Sequence, residues 1–123
     1  MPKKDRDIQD RTFHFALRSV KLAAALPMNP IGTMFARQIA RAGTSVGANV
    51  EEAQDSPSKK DFARRLNIAR CEAREALYWL RLVGASGLIP EKRLGDLIRE
   101  ANELVSILTA IVKRSRASEQ KKG

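Results

Sequence analysis

The residues best suited to chemistry in this sequence form a polar series: Arg41, Ser45, Asn49 and Glu52 follow one another by four, four and three positions. At these spacings the side chains lie along one side of a helix, and Glu75, from the next helix, is placed to join them. An arginine held there without a partner would cost several kcal/mol. We therefore predict a partly buried hydrogen-bonded network at a helix or subunit contact, in preference to an active site.

Other catalytic or metal-binding groups are scarce. The chain has one histidine and one cysteine, His14 and Cys71, so a zinc site within one chain would need carboxylates for most of its ligands. Di-metal sites in helical bundles use Glu-x-x-His on two helices, and this sequence lacks that motif. It also lacks a glycine-rich phosphate loop and a Gly-x-Ser-x-Gly turn. The sequence predicts a protein that is not an enzyme and needs no metal or cofactor.

Charge is the second chemical signal. Lysine and arginine number 23 against 14 acidic residues, a formal net charge of +9, which favours RNA or DNA as a partner. The predicted third helix sorts its charges: one face carries Lys60, Asn67, Arg70, Arg74 and Arg81, while Asp61, Glu72 and Glu75 lie away from it. Cations on phosphates give affinity without sequence specificity. We predict nucleic-acid binding through Lys60, Arg70, Arg74 and Arg81.

The charge leaves a second interpretation open. The same cationic surface would suit an acidic protein, in which case the chain is a protein-binding module without a nucleic-acid role. Part of the charge also lies at the chain ends, in Lys3, Lys4, Lys121 and Lys122, where it adds to binding of either kind.

The elements that must position these residues are helical. Amphipathic stretches with a period of about 3.6 residues predict four helices, at about 5–26, 31–54, 58–85 and 90–115. Proline, glycine and serine interrupt the pattern between them, and residues 117–123 are expected to fray. Short connections between long helices favour antiparallel neighbours. We predict an all-α fold in which residues 1–123 form one up-and-down four-helix bundle.

The first helix carries two apolar stripes on nearly opposite sides. One consists of Ile8, Thr12, Phe15, Ser19, Leu22 and Leu26. The other consists of Phe13, Leu17, Val20 and Ala24. Spacing does not decide which of them faces the core, but a peripheral helix needs only one. We assign Phe13, Leu17, Val20 and Ala24 to a contact between subunits of a ring-like homo-oligomer.

Two glycines, Gly43 and Gly47, lie inside the second predicted helix. Each costs about 1 kcal/mol relative to alanine there, which predicts a close approach of another helix. A single cysteine permits no intrachain disulfide, and no apolar run reaches the roughly 20 residues of a membrane span. These features favour a cytoplasmic protein without a membrane partner.

Three stretches of the chain resemble a known family: residues 41–52 (RAGTSVGANVEE), 62–75 (FARRLNIARCEARE) and 82–89 (LVGASGLI). They are similar to bacterial proteins encoded in intervening sequences of 23S ribosomal RNA genes, once labelled S23 ribosomal proteins. The resemblance implies a four-helix bundle that assembles into a homopentamer and has no known enzymatic activity. The chain departs from the family pattern at Ala53, where glycine usually follows the glutamate.

The same stretches are similar to the basic accessory proteins of diversity-generating retroelements. Those proteins are pentameric barrels that bind nucleic acid and a reverse transcriptase. This second resemblance implies RNA or DNA, and a reverse transcriptase or other protein, as partners of the homo-oligomer.

Overall fold

The computed structural model describes residues 3–122, with side chains described for residues 7–120. Over this range the chain forms four helices and no strand: α1 (Lys3–Ala25), α2 (Pro30–Gln54), α3 (Lys59–Ser86) and α4 (Glu91–Lys122). Each helix packs against the next in sequence, while α1 and α4 meet over a smaller area. The predicted all-α four-helix bundle is confirmed. None of the described helices combines the length and the apolar character needed to cross a bilayer.

Local capping residues fix where the two central helices begin and end. The Asn29 side chain accepts a hydrogen bond from Gly32 N at 2.8 Å, which caps α2. The Ser58 hydroxyl accepts one from Asp61 N at 3.1 Å, which caps α3. These oxygens satisfy backbone donors that have no partner inside the helix. At the other end of α3, Gly87 has a φ of 81°, a left-handed conformation that glycine adopts without strain.

The end of α4 differs from the prediction. A frayed tail was expected over residues 117–123, but α4 continues to Lys122, and the last residue lies outside the described range. The added turns contain no proline or glycine, so nothing in the backbone stops the helix. They also meet the start of α3, where Lys59 Nζ donates to Ser118 Oγ at 2.8 Å.

The stripe of α1 that contains Phe15 faces the core of the bundle. Ile8, Phe15 and Leu26 are buried, and so are the hydroxyl residues Thr12 and Ser19. Both hydroxyls donate to backbone carbonyls four positions earlier, each at 2.8 Å, so neither is buried without a partner. The structure thereby decides which stripe of α1 faces inward, a question that spacing left open.

The contact between α1 and α2 explains the two glycines inside α2. A Cβ built on Gly43 would lie 2.4 Å from Ser19 Cβ, and one on Gly47 would lie 3.2 Å from the Thr12 carbonyl oxygen. Side chains at these positions would force the helices apart. The prediction of a close helix approach is confirmed, and it uses small residues on both helices.

Candidate nucleic-acid interface

Helix α3 separates its charges between two flanks of its outward side. The α2-side flank carries Glu72 and Glu75, whose carboxylates reach α2. The α4-side flank carries Arg74 and Arg81, which line a groove with Asn102 of α4. Successive residues of a helix turn by about 100°, so this short segment presents opposite charges to its two neighbours.

The α2-side flank is a network of paired groups around Arg41. The guanidinium forms ion pairs with Glu75 and, at 3.2 Å, with Glu72. It also donates to Gln38 Oε1 at 3.1 and 3.3 Å, and Trp79 Nε1 donates to Glu75 Oε2 at 3.0 Å. The Arg41 side chain remains 49% exposed, so solvent screens these ion pairs. The arrangement joins α2 to α3 and leaves no acid on this flank without a partner.

Ser45 and Asn49 form a separate cluster further along α2. Asn49 Nδ2 donates to the Ser45 carbonyl at 2.9 Å and to Ser45 Oγ at 3.1 Å. On the other side, Arg65 Nη1 of α3 donates to Asn49 Oδ1 at 3.5 Å. This cluster also bridges α2 and α3, but it does not reach Arg41.

The structure does not place Glu52 in either cluster. Its side chain is exposed and makes no hydrogen bond or ion pair within the described part of the chain. The antiparallel register set by the bond from Arg65 to Asn49 puts Glu52 level with Phe62, which offers no polar partner. The single network predicted from the sequence is therefore two clusters, and Glu52 belongs to neither.

The sequence missed Arg65 beside Asn49 and three participants of the network around Arg41: Gln38, Glu72 and Trp79. Helical spacing offered a signal for each, since Gln38 lies three residues before Arg41, and Glu72 and Trp79 lie one turn either side of Glu75. Many residues share such spacings. The packing of α2 against α3 decides which of them face α2.

The α4-side flank has a different character. Arg74 and Arg81 are exposed, and neither forms a hydrogen bond or ion pair with any described residue. Between them lies Tyr78, and all three line the groove with Asn102 and Val105 of α4. The cations on this flank therefore keep their hydrogen-bond donors available to a partner.

The other two residues of the predicted basic stripe are placed differently. Arg70 is half-buried and donates from Nε to Asn67 Oδ1 at 2.9 Å. Lys60 lines a second groove, near the end of α4, with Arg64 and Arg116. It lies about 21 Å along the helix from Arg74, at about 1.5 Å per residue. Of the predicted contact residues, Lys60 therefore lines a different groove from Arg74 and Arg81, and the terminal lysines lie outside the described side chains.

The acids of α4 that face α1 are already paired. Arg11 donates to both Glu100 carboxylate oxygens, at 2.6 and 3.0 Å, and to Glu103 at 3.1 Å. The hydrogen bond to Glu100 raises the pKa of Arg11 above its usual value, although burial opposes the shift. This ion-pair cluster ties α1 to α4 and engages both carboxylates. One acid, Glu91, lines the adjoining groove that Arg81 shares near the connection between α3 and α4.

The second stripe of α1 lies on the outside of the bundle. Phe13, Leu17 and Val20 are 64%, 41% and 44% exposed, and Ala24 is exposed as well. Three large apolar side chains on one exposed helix face are uncommon in a monomer unless the face has a partner.

The residues with metal-ligating chemistry do not converge: the described part of the chain has no group of three or more His, Cys, Asp and Glu placed to hold an ion.

Comparison with known proteins found a matching family model and a solved structure with a similar fold. A family model described as "23S rRNA-intervening sequence protein" matches residues 4–110. The fold is similar to the crystal structure of a protein with unknown function from the S23 ribosomal protein family of Bacteroides thetaiotaomicron. The two share 35% sequence identity with a TM-score of 0.83, over 89% of this chain and 98% of the other. Among curated proteins, none matches.

Proposed function

The chain belongs to the 23S rRNA-intervening sequence protein family, and we propose that it is a non-enzymatic, homo-oligomeric basic protein that binds RNA or DNA. The observation that carries this proposal is the α4-side flank, where Arg74 and Arg81 are exposed and have no acidic partner among the described residues. The chain has 14 acidic residues, yet no acid whose side chain is described is bound to these two arginines.

Binding of this kind has little sequence preference. Arginines projecting from the outer face of a packed helix reach phosphates, which carry no base identity. Each phosphate that is neutralised releases counterions, so affinity falls steeply as salt rises. The arrangement supports a protein that coats or organises nucleic acid in a ribonucleoprotein, and it supplies no group for a chemical step.

Assembly would strengthen such a surface. The exposed residues Phe13, Leu17, Val20 and Ala24 support a contact between copies of the chain, and the family resemblance supports five copies. In a closed ring each α1 stripe meets a different surface of the next subunit. Repeating the α4-side flank by symmetry would raise avidity by roughly 10²–10⁴ over one site.

A binding titration tests the proposal directly. Fluorescence anisotropy with labelled RNA and DNA of several unrelated sequences, at low and then rising salt, should give similar affinities and a steep salt dependence. No binding to any nucleic acid at low salt would overturn it. If the protein instead bound an acidic protein under the same conditions, the chain would be a protein-binding module.

Assembly is tested separately by sedimentation velocity. The wild-type protein should sediment as an oligomer, and Leu17→Glu should release smaller species because it places a charge in the contact. Met28→Glu is a matched control, since Met28 is fully exposed at the turn after α1 and lies outside the stripe. A wild-type protein that remains a monomer at micromolar concentration would contradict the oligomer.

A further inference from the structure

An exposed aromatic ring lies in the middle of the α4-side flank. Tyr78 is 57% exposed, although aromatic side chains carry large apolar areas that folding usually buries. It follows Arg74 by four residues and precedes Arg81 by three, so the three side chains are neighbours on the helix surface. The ring is not part of the buried core, and it lies between two cations that have no partner among the described residues, which points to an external ligand.

The ring is held in place from behind. Tyr78 packs edge-to-face on Trp79, with ring centroids 5.2 Å apart and an interplanar angle of 69°. Trp79 packs in the same way on the buried Phe35 at 6.1 Å, and its indole nitrogen is bonded to Glu75. An exposed ring anchored by such a chain loses little conformational freedom when a ligand stacks on it.

We propose that Tyr78 is a stacking platform for an unpaired base, with Arg74 and Arg81 on the phosphates to either side. The protein therefore prefers single-stranded RNA or DNA to a duplex. This inference rests on the proposed nucleic-acid binding and narrows its ligand. Single-strand binding surfaces combine a basic groove with aromatic rings, because every base has a face that can stack. The bases of a duplex are stacked on one another and present only their edges.

The dimensions of the flank fit this arrangement. Arg74 and Arg81 lie about 10 Å apart along the helix, at about 1.5 Å per residue. Their long side chains can therefore contact backbone phosphates on both sides of a nucleotide that lies over Tyr78. Asn102 and Val105 of α4 form the opposite wall of the groove, so a strand that lies over Tyr78 would also meet α4.

The test compares single strands with duplexes by anisotropy. The probes are labelled oligouridylate, labelled oligothymidylate and the duplex of each with its complement. Wild type should bind the single strands more tightly. Tyr78→Ala should weaken single-strand binding by about tenfold and leave duplex binding unchanged. Tyr78→Phe should behave like wild type because it keeps the ring, and Leu82→Ala, one turn away, is the control for loss of an exposed apolar side chain.

The two single strands also distinguish RNA from DNA. Equal affinity for oligouridylate and oligothymidylate is expected, because a stacked ring and phosphate contacts do not read the 2′-hydroxyl group. A strong preference for RNA would overturn this account of the contact. Photocrosslinking with an oligonucleotide that contains 4-thiouridine should label the peptide that includes Tyr78, and crosslinks confined to α1 would overturn it as well.

The results separate this inference from the function on which it rests. Suppose that single strands and duplexes bind alike, that Tyr78→Ala changes neither, and that reversing Arg74 and Arg81 to glutamate abolishes both. The inference then fails while nucleic-acid binding stands. If wild type binds none of the probes, both fail.

Discussion

Both flanks of α3 carry charged side chains, but the charges are opposite in sign and only one set is paired. On the α2-side flank, Glu72 and Glu75 are paired with Arg41 of the neighbouring helix. On the α4-side flank, Arg74 and Arg81 make no bond to any described residue. Glu72 and Glu75 are partly buried beside α2, whereas Arg74 and Arg81 are exposed.

The difference lies in what the neighbouring helix offers. α2 presents a cation to the acids of α3 and thereby forms a contact within the fold. α4 presents Asn102 and Val105 to the arginines, while its Glu100 and Glu103 are bonded to Arg11. Charge that is paired within the chain adds to stability, whereas charge left unpaired is available for a partner. Mutations on the first flank should therefore change unfolding, and mutations on the second should change binding.

The largest expected effect is a loss of folding stability when Trp79 on the α2-side flank is substituted. Trp79→Ala removes ring contacts with Phe35 and Tyr78 and leaves Glu75 without one donor. We expect the free energy of unfolding to fall by about 2–3 kcal/mol, which is less than the loss of about 3–5 kcal/mol when a fully buried ring is removed. Chemical denaturation followed by circular dichroism measures it. Trp79→Phe should recover most of the loss, and parent-like unfolding of Trp79→Ala would show that the ring contacts add no stability.

Charge reversal on the α4-side flank should give the complementary result. Arg74→Glu with Arg81→Glu should weaken nucleic-acid binding about tenfold or more and lower the salt slope by about 2. The melting temperature and the oligomer should not change. Arg18→Glu with Arg37→Glu is the matched control, because it makes the same change in net charge at exposed arginines elsewhere. Equal losses in the two double variants would mean that net charge, and not this flank, determines affinity.

Substitution of Arg41 should lower the stability of the fold less than substitution of Trp79. A fully buried ion pair would cost about 3–5 kcal/mol when broken, but the Arg41 side chain is 49% exposed. We therefore expect Arg41→Ala to lower the free energy of unfolding by about 0.2–1 kcal/mol, with the salt slope of nucleic-acid binding unaltered. A loss near the buried value would indicate that assembly covers the α2-side flank.

Substitution of Glu52 should have the smallest effect on the stability of the fold. It has no side-chain partner in the described part of the chain, so Glu52→Ala should leave the free energy of unfolding within about 0.5 kcal/mol of the parent. Glu75→Ala, which removes a bonded carboxylate from α3, is the comparison. Equal destabilisation by both substitutions would return Glu52 to the network from which the structure excludes it.

The sequence predicted features that depend on neighbours along the chain. Apolar residues recurring about every 3.6 positions predicted the four helices, and Gly43 and Gly47 predicted a close helix contact, because spacing along one helix fixes which residues share a face. The same reasoning missed the continuation of α4 to Lys122, which includes a contact between Ser118 and Lys59 that no local pattern contains.

The sequence by itself therefore determined the fold class, the family and the surplus of positive charge. Only the tertiary structure decided which stripe of α1 is buried, that Glu52 lies outside the polar clusters, and that Arg41 has partners among the described residues while Arg74 and Arg81 have none. The physical reason is that a charge finds its partner on another helix. That choice depends on the register and rotation of two packed helices, which the spacing within either one does not specify.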